Sequence, residues 1–140
     1  MLIQTRLTFR TAGRGSREIT GEVAAQVRAA GIGCGIAQIF VQHTSCSLLL
    51  TENADPDVRR DLETLFGRIA PDGDPAYLHD AEGPDDMAAH ARTLIAGASL
   101  TVPVAGARLL LGTWQGIYLW EHRTEAHDRN VVITVMGESA

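Results

Sequence analysis

The chain has 140 residues, 45% of them hydrophobic and 21% charged, which suits one soluble domain, residues 1–140, with a core of its own. That composition excludes disordered and collagen-like chains, and no 18-residue apolar run exists to span a membrane. The net charge is −5 and all twelve basic residues are arginine, so lysine Schiff-base chemistry and a lysine phosphate loop are excluded; the lack of a basic patch argues against nucleic acid as a partner.

Residues 2–10 alternate, with Ile3, Thr5, Leu7 and Phe9 on one face, and predict a half-buried strand. Residues 13–16 predict a loop. Thr20 is expected to cap a helix whose apolar stripe is Val23, Ala24, Val27 and Ala30, stopped by Gly31 and Gly33. Residues 35–43 read as a strand in which His43 continues the face of Ala37, Ile39 and Val41, and residues 46–52 as the next strand. Asp55-Pro56-Asp57 opens a helix that runs to about Arg68. Residues 70–83 form a long loop of glycine, proline and acids, which favours a functional loop or a lid. A further helix starts at Pro84-Asp85-Asp86 and ends near Gly97, and strands follow over 98–104, 107–111, 113–121 and 129–136. Short links between consecutive strands predict antiparallel pairing, hence an α+β domain of mostly antiparallel sheets packed with about three helices.

Charge is uneven: residues 52–92 hold eleven acids against four arginines, so this is where cations would collect. His79 sits there beside Asp80 and Glu82, a set suited to a divalent metal or to acid–base work. Asp86 and His90 lie four apart on one helix face, so the acid can orient the imidazole. His43-Thr44-Ser45 ends a strand in hydroxyls and turn amides, a cradle for phosphate or carboxylate. Gln115 and Glu121 bound the apolar face of one strand, like the ends of a pocket wall, while Trp114, Tyr118 and Trp120 share its other face as core or interface. Arg129 is suited to clamping a phosphate, whereas His122 and His127 are expected as exposed loop residues. Cys34 and Cys46 form no CxxC pair and are expected as free thiols near the core. The N-terminal ten residues lack the apolar centre of a secretory signal, so a cytoplasmic location is expected.

Five blocks together resemble the YjbQ family, the secondary thiamine-phosphate synthases: His-Thr-Ser-Cys-Ser-Leu (43–48), Glu-Asn-Ala-Asp-Pro-Asp-Val (52–58), residues 77–90 from Tyr77 to His90, Gly-Ala-Ser-Leu-Thr-Val-Pro-Val (97–104) and Leu-Gly-Thr-Trp-Gln-Gly-Ile-Tyr-Leu (111–119). The sequence departs from the pattern at Cys46 and at Asp128-Arg129-Asn130, where an arginine pair is common. The resemblance implies a small α+β domain assembled as a homotrimer, with a pocket where His43, His79 and His90 gather. It places Asn53, Asp55, Asp80, Glu82, Asp86, Gln115, Glu121 and Arg129 in or beside the family blocks. It further implies joining a pyrimidine diphosphate to a thiazole phosphate with release of pyrophosphate. Three imidazoles would suit zinc or another divalent ion, with Thr44, Ser45, Asn53, Asp55, Gln115 and Arg129 on the phosphorylated metabolite. A non-catalytic trimeric module binding a metal or phosphometabolite at the same pocket is the alternative reading.

Overall fold

A computed structural model describes all 140 residues. The element order is β1 (Leu2–Arg10), β2 (Gly15–Glu18), α1 (Thr20–Ala30), β3 (Ile32–Val41), β4 (Cys46–Glu52), α2 (Pro56–Ile69), α3 (Asp86–Ala96), β5 (Ser99–Ala105), β6 (Arg108–Leu109), β7 (Gln115–Glu121) and β8 (Asp128–Ser139). Five strands form one sheet in the order β1-β8-β3-β5-β6 and three form a second in the order β2-β7-β4. Every pairing is antiparallel, as the short links predict, and the domain is α+β.

The core lies between the sheets. Ala37, Ile39, Val41, Val102, Val104, Val131, Ile133 and Val135 from the larger sheet meet Cys46, Leu48, Ile117 and Leu119 from the smaller one, and Val23 and Val27 of α1 close one side. Each fully buried Ile, Leu or Val contributes about 1.5–3 kcal/mol relative to exposure. The strand alternation of the sequence therefore has a direct cause: one face of each strand must be apolar to line this layer. On the far face of the small sheet, Trp120 packs on Phe66 of α2 with ring centroids 4.5 Å apart, and its indole N–H donates to Glu63 (2.7 Å). Tyr118 is also buried there, but Trp114 precedes β7 and is exposed, so the three aromatics do not form one face.

Several local expectations need revision. Residues 15–18 form a strand because the free edge of β7 pairs with them, although their sequence has no apolar alternation. Thr20 is the first helical residue, not the cap; its Oγ1 accepts the Ile117 N–H (2.8 Å). The expected strand at 107–111 shrinks to two residues after a turn in which Gly106 and Ala107 both have positive φ (56° and 57°). β3 starts at Ile32 and ends before His43, which falls in the connection to β4. β3 and β8 approach closely: a Cβ at Gly35 would fall on the Met136 carbonyl.

Asp55 caps α2 by accepting from the Asp57 N–H (2.9 Å), with Pro56 in the first turn, as read from the sequence. The segment between α2 and α3 has no regular structure, yet it is tied at two points. Arg14 forms a two-pronged pair with Asp72 (2.7 and 2.9 Å), and Arg123 holds the far end. No helix is long and apolar enough to cross a membrane.

Candidate metal centre and its cavity

The irregular segment and the first turns of α3 deliver three ligand atoms to one place. His79 Nε2 lies 2.6 Å from Asp86 Oδ2, which lies 3.4 Å from His90 Nε2, and all three atoms fall within 4.8 Å of one another. The i,i+4 spacing on α3 sets Asp86 against His90, and the loop folds His79 back onto them. Tetrahedral ligands about 2.0–2.2 Å from an ion sit roughly 3.3 Å apart, so the 3.4 Å Asp86–His90 separation already suits a shared ion and the 2.6 Å His79–Asp86 contact would have to open.

Contacts around these atoms orient them. His90 Nδ1 donates to the Thr44 carbonyl (3.0 Å), which leaves Nε2 with its lone pair directed at the cluster. Asp86 is almost fully buried, and its second oxygen accepts from Arg123 Nη1 (2.9 Å). Arg123 also donates from Nε to Asp85 (2.9 Å) and from Nη2 to the Glu82 carbonyl (2.9 Å). Burial would push the Asp86 carboxyl up, but the His79 hydrogen bond and the Arg123 charge hold it below its ordinary range. Asp85 is similarly raised by burial but brought down to about 2 by its Arg123 hydrogen bond and the Thr124 N–H. The two carboxylates are therefore ionised at neutral pH. The donor set fits a divalent ion: two imidazoles, one of them held by a backbone carbonyl, and one buried carboxylate.

The centre stands between two cavities. One, of about 390 Å³, is lined by His43, Thr44, His90, Thr93, Leu94, Gly97 and Ala98. The other, of about 330 Å³, is lined by His79, Asp74, Asp80 and Tyr77 among others.

The three expected histidine ligands do not come together in the fold. His43 reaches the first cavity but stands apart from the cluster, with its Nε2 accepting the Asn130 N–H (2.8 Å), and the side chain that meets His79 and His90 is Asp86. Arg129 is also placed differently from the phosphate clamp expected of it. It is buried against Glu121, with Nε 2.8 Å from Oε1, Nη2 bonded to Oε2, and Nη2 donating to Ser45 Oγ (3.0 Å) and the Ser45 carbonyl. Glu121 lies at the end of β7 as read, but it is a buried anchor that also accepts from Thr11 Oγ1 (2.7 Å). Asp80 and Glu82 are exposed; Asp80 lines the second cavity, and Glu82 meets Arg123 at 4.0 Å. Asn53 and Gln115 tie turns, Asn53 to the Thr113 carbonyl (3.4 Å) and Gln115 to the Gly112 N–H (2.9 Å), and Asp55 is the α2 cap; none of the three lines either cavity.

His122 is fully buried, not exposed, with Nε2 2.8 Å from Ser47 Oγ and its ring against Trp120. Burial, reinforced by the Arg92 charge, pushes its pKa down to about 3. His127 is part-exposed and holds the Glu125 carbonyl. Cys46 is buried, with its thiol pushed up to about 12 by burial, and Cys34 is exposed; both are free thiols. Sequence reasoning missed the role of Arg123, because an arginine in a polar turn carries no spacing signal.

Comparison with known proteins agrees with the fold. The profile of the family described as UPF0047 protein YjbQ-like matches residues 5–138. The UPF0047 protein YjbQ of Escherichia coli O157:H7 is 42% identical over 139 residues, covering 99% of this chain and 100% of that protein. A UPF0047 protein of Synechocystis sp. is 42% identical over 132 residues, 94% of this chain and 90% of that protein. Among solved structures, an uncharacterized conserved protein of the yjbq/upf0047 family from Clostridium acetobutylicum superposes with a TM-score of 0.87 at 32% identity, covering 94% of this chain and 99% of that one. A hypothetical protein from Aeropyrum pernix K1 superposes at 0.88 with 28% identity, over 97% and 99%. On the match across nearly its whole length, the chain belongs to the UPF0047 family of YjbQ-like proteins.

Proposed function

We propose that the protein is a metal-dependent enzyme acting on a small phosphorylated metabolite, with a divalent ion, zinc by its donor set, held by His79, Asp86 and His90. The observation that carries this reading is the convergence of those three ligand atoms beside a cavity, with His90 oriented by the Thr44 carbonyl. The proposed reaction is a thiamine-phosphate synthase-like transfer, in which pyrophosphate leaves a pyrimidine diphosphate as a thiazole phosphate is joined to it. A divalent ion bound there would supply Lewis-acid stabilisation of charge on phosphate oxygens. The protein groups divide the remaining work. Arg123 fixes the Asp86 carboxylate, Thr44 fixes the His90 tautomer, and Asp80 is near enough to the His79 cavity to exchange a proton with a bound ligand. A homotrimer in the cytoplasm is the assembly and location proposed with this function.

A second reading, a non-catalytic module that binds a metal or phosphometabolite, is favoured by one observation: no arginine lines either cavity to meet a leaving pyrophosphate. Metal content per chain on untagged protein tests the centre. About one ion per chain is expected, as in other sites of this ligand type, with loss of the ion in His79→Ala and retention of the fold by circular dichroism. Unchanged metal content in His79→Ala would remove His79 from the site. Thiamine-phosphate formation, sensitive to chelator, separates the enzyme from the module; stoichiometric ligand retention without turnover would favour the module.

A further inference from the structure

The connection between β1 and β2 encloses a cavity of about 370 Å³. Residues 10–17 supply all of its lining except Leu119, with three arginines and no acid among them. None of these residues lines either cavity beside the metal centre.

The backbone of this loop is pinned, yet its donors are open. The Thr11 N–H donates to the His127 carbonyl (2.8 Å), and the Arg14 side chain is taken up by Asp72 and the His122 carbonyl. Gly13 lies so close to Thr124 that a Cβ there would fall 2.5 Å from its carbonyl oxygen. The sign of φ alternates over residues 12–15: Gly13 and Gly15 are positive (104° and 142°), Ala12 and Arg14 negative. Such alternation turns successive N–H groups toward one side and makes a concavity for an anion. The N–H groups of Ala12, Gly13 and Arg14 have no acceptor in the protein.

Arg17 brings charge to the same cavity. Its Nη1 donates to the Arg10 carbonyl (3.2 Å), and its guanidinium lies over the Phe9 ring, 5.1 Å from the centroid. No carboxylate pairs with it, so Nε and Nη2 are left to donate outward. Arg10 meets Asp128 only at 3.5 Å with both side chains in solvent, a pair too well hydrated to neutralise it. An adjoining cavity of about 270 Å³ shares Gly15 and Ser16 and adds Arg59 and Arg60; its one acid, Glu63, is held by Trp120 and Arg92. In a chain of net charge −5, this is a local field that draws anions.

We propose that the backbone N–H groups of residues 12–14 and the Arg17 guanidinium form a phosphate-binding site separate from the metal centre, with Arg10 as a second cation. Several donors around one concavity suit a tetrahedral oxyanion that offers three oxygens, whereas a carboxylate would leave some of them unused. The two adjoining cavities leave room for the body of a phosphate ester beside the phosphate itself.

The test uses the 140-residue chain at neutral pH in the presence of chelator, so that no ion at the metal centre takes part. Amide and arginine side-chain NMR signals are followed while inorganic phosphate and, separately, adenosine monophosphate are added at constant ionic strength. The expected result is a saturable, one-to-one shift of the residue 12–14 amides and of Arg17 Nε. Arg17→Gln keeps a long side chain on Phe9 and removes the charge, and it is expected to weaken phosphate binding about tenfold or more. Arg6→Gln makes the same change in net charge on an exposed residue of β1 that lines no cavity, and binding should be unchanged. Tighter binding of the nucleotide would assign a phosphate ester as the ligand, and equal or tighter binding of inorganic phosphate the free ion. Shifts that never saturate, or that sodium chloride reproduces, would overturn the proposal, as would equal losses in Arg17→Gln and Arg6→Gln. Saturation at His43 and His90 with residues 12–14 unmoved would also overturn it, while leaving the proposed function standing.

Discussion

Replacing His122 by glutamine should flatten the acid side of the stability curve. His122 is fully buried, and its pKa falls from an ordinary value near 6.5 to about 3, chiefly through burial. The unfolded chain therefore binds a proton below pH 6.5 that the folded chain refuses until near pH 3. Stability must fall as the pH drops through that window. For one such group the loss is about 2 kcal/mol between pH 8 and pH 5, and about 4 kcal/mol by pH 3. Glutamine cannot titrate and can still reach Ser47 with its amide. Urea unfolding of both proteins at pH 8 and pH 5 should show wild type losing about 2 kcal/mol more than His122→Gln. His43, also lowered, has the same sign but is present in both proteins and cancels in the difference. An identical pH dependence for the two proteins, or an NMR titration of His122 centred near 6.5, would refute the reasoning.

Arg123→Ala removes three anchors, to Asp85, Asp86 and the Glu82 carbonyl, and leaves two buried carboxylates without their arginine partner. It should cost about 2–4 kcal/mol and speed proteolytic cleavage between residues 70 and 85, measured by urea midpoints and timed digestion. Gly35→Ala forces a methyl group onto the Met136 carbonyl and should cost about 2–4 kcal/mol by splitting β3 from β8, read as a fall in Tm. A disulfide reagent at pH 8 should titrate one thiol quickly, at exposed Cys34, and a second only on unfolding, because Cys46 is buried with its thiol pushed up to about 12.

Where a residue's neighbours in sequence also set its environment, the sequence was readable. The alternation of β1, the Asp55-Pro56 start of α2 and the Gly31 stop of α1, with φ 66°, are local effects, and they stand where the pattern puts them. The Asp86–His90 pair was legible for the same reason: helix periodicity sets it. β2 was not legible, because pairing with a distant strand creates it. Arg129 and Glu121 were read as open polar ends of two strands. They lie in different sheets, and only the closing of the sandwich brings them together as a buried pair. The separation of His43 from the cluster was no more legible: continuing an apolar face says nothing about Asn130, whose N–H takes the ring nitrogen. His122 was assigned to solvent because it follows a strand in a polar run, but Ser47 and Trp120 enclose it.

The irregular segment from residue 70 to 85 has the composition of a mobile flap, yet Arg14 and Arg123 rivet it at both ends. Folding thus removes most of its conformational freedom before any ligand arrives. Association then carries little further ordering cost, and its rate should follow diffusion and charge rather than a closing motion. The segment behaves as a cast mould, and any ligand it receives must match a shape that is already set.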